Sequence, residues 1–170
     1  APQGKRSLQG WATEHEMIDR MDEAGVAKSV LLGGYWETAQ PAVMQNQWHA
    51  RARGANPRRF EAFAAICPGD PKGSLEQLKF ALDHGFIGVG ELHPGVQGFR
   101  LTERDWLPVL EFAAAQGLVI NLHVTEPVGR PYAPRVDTNF RDIQWIVERL
   151  PELRIVLAHW GGLVFMHELN

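Results

Sequence analysis

The sequence predicts an α/β fold on a parallel sheet, of the (β/α) barrel type. Three observations predict it. Five short apolar runs alternate with segments of helical period along the chain. Glycine or proline punctuates the joints between them. The glycine fingerprint of an open dinucleotide-binding sheet is missing: Gly88-Val89-Gly90 continues as Glu91-Leu92-His93, with histidine where the third glycine should stand, and it lies inside an apolar run.

Each element has its own signal. Met17, Ile18 and Met21 form an apolar stripe over Glu14 to Ala24, and Gly25 stops that helix. Val26 to Leu32, ending in Gly33-Gly34, has the length and punctuation of a strand. A long polar helix is expected over Gln40 to Gly54, with Pro41 in its first turn. Phe60 to Ile66 is the second strand, closed by Cys67-Pro68-Gly69. Leu75, Leu78 and Leu82 mark a helix from Ser74 to His84. Phe86 to Leu92 is the third strand, closed by His93-Pro94-Gly95. Thr102 and Asp105 sit at capping-box spacing ahead of a helix face of Trp106, Val109, Leu110 and Ala113. Leu118 to Val124 is the fourth strand. Thr125 to Val136, with Pro127, Pro131 and Pro134, is a loop. Asp137 or Thr138 is expected to cap a helix that runs to Leu150 before Pro151. Leu153 to Ala158 is the fifth strand, followed by His159-Trp160-Gly161-Gly162.

The chain has 170 residues, 45% hydrophobic and 22% charged, with a formal net charge of -3. That excludes a disordered chain and offers no basic field for nucleic acid. The single cysteine, Cys67, excludes an internal disulfide and fits a reducing, cytoplasmic compartment. Residues 1–6 have no apolar segment behind them and do not read as a signal peptide. No apolar run approaches the ~20 residues that span a bilayer. No linker divides the chain, so residues 1–170 read as one partial barrel domain. A complete barrel takes ~250 residues, so this length is an arc of about five units. The last residues read as the opening of a helix, and the chain is expected to be a piece of a longer protein.

Chemistry in such sheets collects at the carboxyl ends of the strands. Three consecutive strands here end in Glu91, His123 and His159, about one βα unit apart. Strand alternation puts Glu91 and His93 on one face, and Asn121, His123 and Thr125 on one face. If those faces look into the barrel mouth, the three side chains converge as ligands for a divalent ion, which makes a water nucleophile at neutral pH. The competing reading makes each a structural group, with Glu91 paired to an arginine. Other residues carry weaker signals. Arg130 in the long loop is placed to meet a substrate carboxylate. Trp160, with Trp36 and Tyr35, lies just past a strand end, where pocket lining and rim packing are both open. His93 is a candidate for substrate contact, with a peripheral place before Pro94 as its competing reading. His49 lies among Arg51, Arg53, Arg58 and Arg59, a cluster that reads as phosphate-binding or as a solvated helix face. His84 reads as a helix-end residue, and Cys67 as a small buried hydrophobe or a reactive thiol.

The segments Gly90-Glu91-Leu92-His93-Pro94, Asn121-Leu122-His123-Val124-Thr125-Glu126-Pro127 and Leu157-Ala158-His159-Trp160-Gly161-Gly162 resemble the amidohydrolase-related branch of the amidohydrolase superfamily. That branch holds metal-dependent hydrolases and decarboxylases. The resemblance runs from about Glu14 onward. It implies a (β/α)8 TIM barrel, here partial, with strands two to six present. It implies His123 as a metal ligand, His159 as a second ligand or the general base, and Glu91 as a metal-bridging carboxylate. The family's first-strand His-x-His pair and eighth-strand aspartate have no counterpart in this chain.

The expected function is therefore a metal-dependent hydrolase of a small carboxylic, ester, lactone or amide substrate. His159 and Glu91 would be catalytic, and the metal would be zinc first and manganese second. The alternatives are a nonoxidative decarboxylase with the same ligands and a non-catalytic degenerate barrel. The expected partner is a small molecule, with no nucleic acid or membrane; a homo-oligomer stays open.

Overall fold

A computed structural model describes residues 12–125 and 136–163. The elements are α1 (Glu14–Glu23), β1 (Ser29–Leu31), α2 (Ala39–Ala55), β2 (Phe60–Ala64), α3 (Pro71–Asp83), β3 (Gly88–Leu92), α4 (Pro94–Gln97), α5 (Leu107–Ala115), β4 (Val119–Leu122), α6 (Phe140–Arg149), β5 (Arg154–Leu157) and α7 (Ala158–Gly161). The five strands pair in the order β1-β2-β3-β4-β5, and every pairing is parallel. Sequential parallel strands joined by right-handed crossovers place all the connecting helices on one side. That is an arc of barrel wall, as the alternation of segments predicts. Val30 and Val156 on the two edge strands are exposed.

The core lies between the sheet and α3, α5 and α6. Leu78, Val109, Leu110 and Ile146 meet Val89, Ile120 and Leu122, all nearly inaccessible to water. All five expected strands form, each shorter than its apolar run. Helix boundaries move where a stronger cap competes. α1 starts at Glu14 because Thr13 and Glu16 make a reciprocal capping box, which Thr102 and Asp105 do not. α3 starts before Ser74, since Asp70 accepts from Gly73 N–H at 2.9 Å and Pro71 suits the first turn. α5 starts only at Leu107, because residues 101–105 turn instead and Pro108 sits in the first turn. α6 is capped by Asn139, neither Asp137 nor Thr138, and its Oδ1 accepts from Arg141 N–H. The Thr138 hydroxyl accepts from Thr125 N–H instead, at 2.8 Å.

The end of β2 is held by a side chain. Asn46 of α2 is fully buried. It accepts from Ala65 N–H at 2.7 Å and donates to Ala65 C=O at 2.8 Å. Asn46→Ala leaves the N–H and the C=O of buried Ala65 without this partner. We expect a loss of about 2–6 kcal/mol in urea unfolding, from two orphaned groups at roughly 1–3 kcal/mol each. An unchanged midpoint would show that water replaces the amide.

Candidate metal centre

Glu91 reaches the site through a break in the sheet. The β3–β4 register shifts between Val89 and Leu92. Gly90 sits there with φ 111°, against the Asn121 carbonyl, where any Cβ would collide. The Gly90–Glu91 peptide is cis. Gly33, just past β1, donates to Gly90 C=O at 2.7 Å and accepts from Glu91 N–H at 3.2 Å. The carboxylate-bearing peptide is therefore gripped by its neighbours.

His123 follows β4, and its N–H donates to Leu92 C=O at 2.8 Å. His159 and Trp160 follow β5 in left-handed backbone, φ 54° and 58°. The turn brings the imidazole back to the other two. His123 Nδ1 lies 2.8 Å from Glu91 Oε1 and 3.1 Å from His159 Nε2, and His159 Nε2 lies 3.2 Å from Glu91 Oε1. Asn121, two residues before His123, has a buried Oδ1 with no hydrogen-bond partner among the described residues.

This donor set fits a divalent cation. One atom from each residue converges within 4.8 Å of the others. Atoms bound to one zinc at ~2.0–2.2 Å stand roughly 3–3.5 Å apart, close to the spacings here. Burial pushes the Glu91 carboxyl up, but hydrogen bonds from His123 and Tyr35 and the nearby histidine charges leave it below its ordinary value. Glu91 is thus the anion that a cation needs. Among the described residues its partners are histidines and a tyrosine.

His93 lies behind His123. It is buried, its ring stacks on His123 at 4.0 Å, and it caps α4 by accepting from Val96 N–H. Burial, then the His123 charge, lower its pKa to about 4, so it is neutral at pH 7. A cavity of about 240 Å³ opens beside His93 and His123, walled by Phe99, Leu101 and Ile143, with the Arg100–Asp142 ion pair on its wall. Trp160 is 81% exposed and does not line that cavity. Arg130 lies outside the described residues.

His49, Arg53, Arg59, Cys67 and His84 make packing and pairing contacts. His49 is near the Phe63 carbonyl and Phe86, and burial lowers its pKa. Arg53 and Arg59 of the basic cluster pair with Glu61 and Asp22. Cys67 is buried, with Sγ near the Glu37 carbonyl. His84 caps the end of α3 and stacks on Phe80. Reading by residue type passes over Gln45 and Gln97, whose amides hold the chain beside the site.

Among the described residues, no helix is long and apolar enough to cross a membrane. The amidohydrolase family model matches residues 14–168. A 2-amino-3-carboxymuconate-6-semialdehyde decarboxylase from Dictyostelium discoideum is 23% identical over 168 residues, covering 85% of this chain and 45% of that protein. A 5-carboxyvanillate decarboxylase from Novosphingobium aromaticivorans, complexed with manganese, superposes with a TM-score of 0.73 at 21% identity, covering 90% of this chain and 53% of that one. A 2,6-dihydroxybenzoate decarboxylase from Rhizobium gives 0.68 at 18% identity, covering 93% and 59%. At these identities the superpositions speak for the fold alone, and the chain spans about half the length of these relatives. With five parallel strands in sequential order and a family match over nearly its whole length, the chain belongs to the amidohydrolase family and forms part of a TIM barrel.

Proposed function

We propose that the protein is a metal-dependent nonoxidative decarboxylase of a small carboxylic acid. The observation that carries this reading is the convergence of Glu91, His123 and His159 at 2.8–3.2 Å on the carboxyl ends of three consecutive strands. Glu91 and His123 would hold a divalent cation, zinc or manganese, with His159 as a further ligand or the proton carrier. The bound cation would orient a substrate carboxylate. His159, with its side chain 52% exposed, faces the open side and can deliver a proton to carbon. In that step the bond from carbon to carboxylate breaks, carbon dioxide leaves, and the N–H proton replaces it. Three relatives named as decarboxylases favour this over hydrolysis.

Metal-dependent hydrolysis of an ester, lactone or amide is the second reading, supported by the amidohydrolase family match. The buried, unpaired Cys67 fits a cytoplasmic setting, and the partner is a small molecule. The test is carbon dioxide release by the metal-loaded full chain from the three acids in the relatives' names. Carbon dioxide from any of them supports the reading. Hydrolysis of a lactone or amide panel without carbon dioxide would replace it with the second, and a chain that takes up no metal would leave a binding module.

The segment after His123 carries a further expectation. Thr125 Oγ1 donates to Val136 C=O at 2.7 Å, which ties residue 125 to residue 136. Arg130 within it is proposed to meet the substrate carboxylate. Arg130→Ala should raise KM about 10-fold or more for an acidic substrate, from loss of a charge-assisted hydrogen bond of roughly 1.5–3 kcal/mol. Unchanged steady-state kinetics would discard this role.

A further inference from the structure

We propose that Tyr35 is a positioning residue of the metal centre, its hydroxyl tying Glu91 to His123, and that Gln45 holds the strap delivering it; this rests on the metal reading above. Tyr35 is 37% exposed. A tyrosine at a protein surface ordinarily turns its ring inward and its hydroxyl to water. Here the hydroxyl points inward. It lies 3.3 Å from His123 Nδ1 and hydrogen-bonds the Glu91 carboxylate. The ring meets His93 edge-on at 5.1 Å and His123 edge-on at 5.9 Å, which fixes its direction.

The phenol has one proton. The charged carboxylate is the stronger acceptor, so the O–H donates to Glu91. That leaves the phenol oxygen as an acceptor towards His123 when Nδ1 carries a proton. With a cation on His123 Nδ1 the bond to Glu91 remains. It then acts as an outer hydrogen bond that fixes the orientation of a ligand carboxylate.

The strap is residues 32–36, between β1 and α2. Gln45 accepts from Gly34 N–H at 2.8 Å and from the Trp36 indole N–H at 2.5 Å. Both partners are donors, so the shared atom must be Oε1. Its Nε2 is then free to donate to Leu32 C=O at 3.3 Å. Gln97 donates to Trp36 C=O at 3.2 Å and accepts from His93 N–H at 2.9 Å. On the other side, Gly33 is bonded to the Gly90–Glu91 peptide. The strap and the metal-binding carboxylate therefore share one hydrogen-bonded frame. Two glycines lead into Tyr35, and a Cβ at Gly33 would sit 2.7 Å from Ala65 Cα, so the close approach requires glycine.

The experiment measures divalent-metal affinity of the full chain by chelator competition, alongside thermal melting of the metal-free form. Tyr35→Phe should weaken metal binding about 10–100-fold, as loss of outer hydrogen bonds to ligands does, with the metal-free melting unchanged. Gln45→Ala should weaken it in the same direction. The double variant should lose less affinity than the two single losses combined, because Gln45 and Tyr35 hold the same hydrogen-bonded frame. Gln45→Glu keeps the acceptor for both donors but loses the bond to Leu32 C=O, and should weaken binding less than Gln45→Ala. Equal affinity of wild type and Tyr35→Phe overturns the proposal while leaving the metal reading intact. Additive losses overturn the link to Gln45. A wild-type chain without metal affinity overturns the metal reading and this proposal with it.

Discussion

Replacing His123 with alanine should empty the metal centre and abolish turnover. His123 Nδ1 is the atom that both other donors face, at 2.8 and 3.1 Å. Its side chain is 14% exposed, so no solvent group takes its place easily. Loss of an outer partner of a metal ligand weakens binding about 10–100-fold, and loss of the ligand itself should exceed that. The fold should survive. The His123 backbone bond to Leu92 does not need the ring, and the core around Leu122 and Val124 is untouched. Metal content by elemental analysis, with circular dichroism on the same sample, separates the two effects. Full metal content in a folded His123→Ala protein would remove His123 from the ligand set.

His159→Ala has a different signature. We expect the metal largely retained and turnover lowered ~10²–10⁴-fold, the usual worth of a positioned proton donor. The His159 side chain is 52% exposed where Glu91 and His123 are 13% and 14%. It hangs from a left-handed turn beyond β5, outside the strand proper. It is thus the member of the cluster best placed to exchange protons with solvent and substrate. Elemental analysis and steady-state kinetics on one preparation decide the matter, with added imidazole as a rescue. Metal loss equal to that of His123→Ala would make His159 a ligand. Full metal with full turnover would end both roles.

Much of this was legible in the sequence, for identifiable reasons. Gly-bounded apolar runs encode buried parallel strands, because both faces of such a strand are covered. The strand-end positions of Glu91, His123 and His159 follow from the same rhythm, since each βα unit returns the chain to equal height. The capping error at Thr102 and Asp105 arose because Pro108 and a turn compete for the same residues. Thr138 lost the cap of α6 to Asn139 because its hydroxyl serves Thr125. His93-Pro94-Gly95 carries the turn residues of a strand closure, and the structure makes it the start of α4, capped by an imidazole. Tyr35 stayed ambiguous for a deeper reason. Its direction depends on Gln45 and Gln97, which lie 10 and more residues away in sequence and have no periodicity of their own. The bulge at Gly90 was also hidden, because nothing local says that the Asn121 carbonyl passes so close.

The proposed chemistry needs a divalent cation on Glu91 and His123, beside His159. Anomalous diffraction from crystals of the full chain, recorded on both sides of the zinc and manganese absorption edges, tests it most directly. A single peak is expected within bonding distance of Glu91 Oε1 and His123 Nδ1, on the side that His159 faces. A saturating metal soak that leaves that position without a peak, or places the metal at other residues, would contradict it.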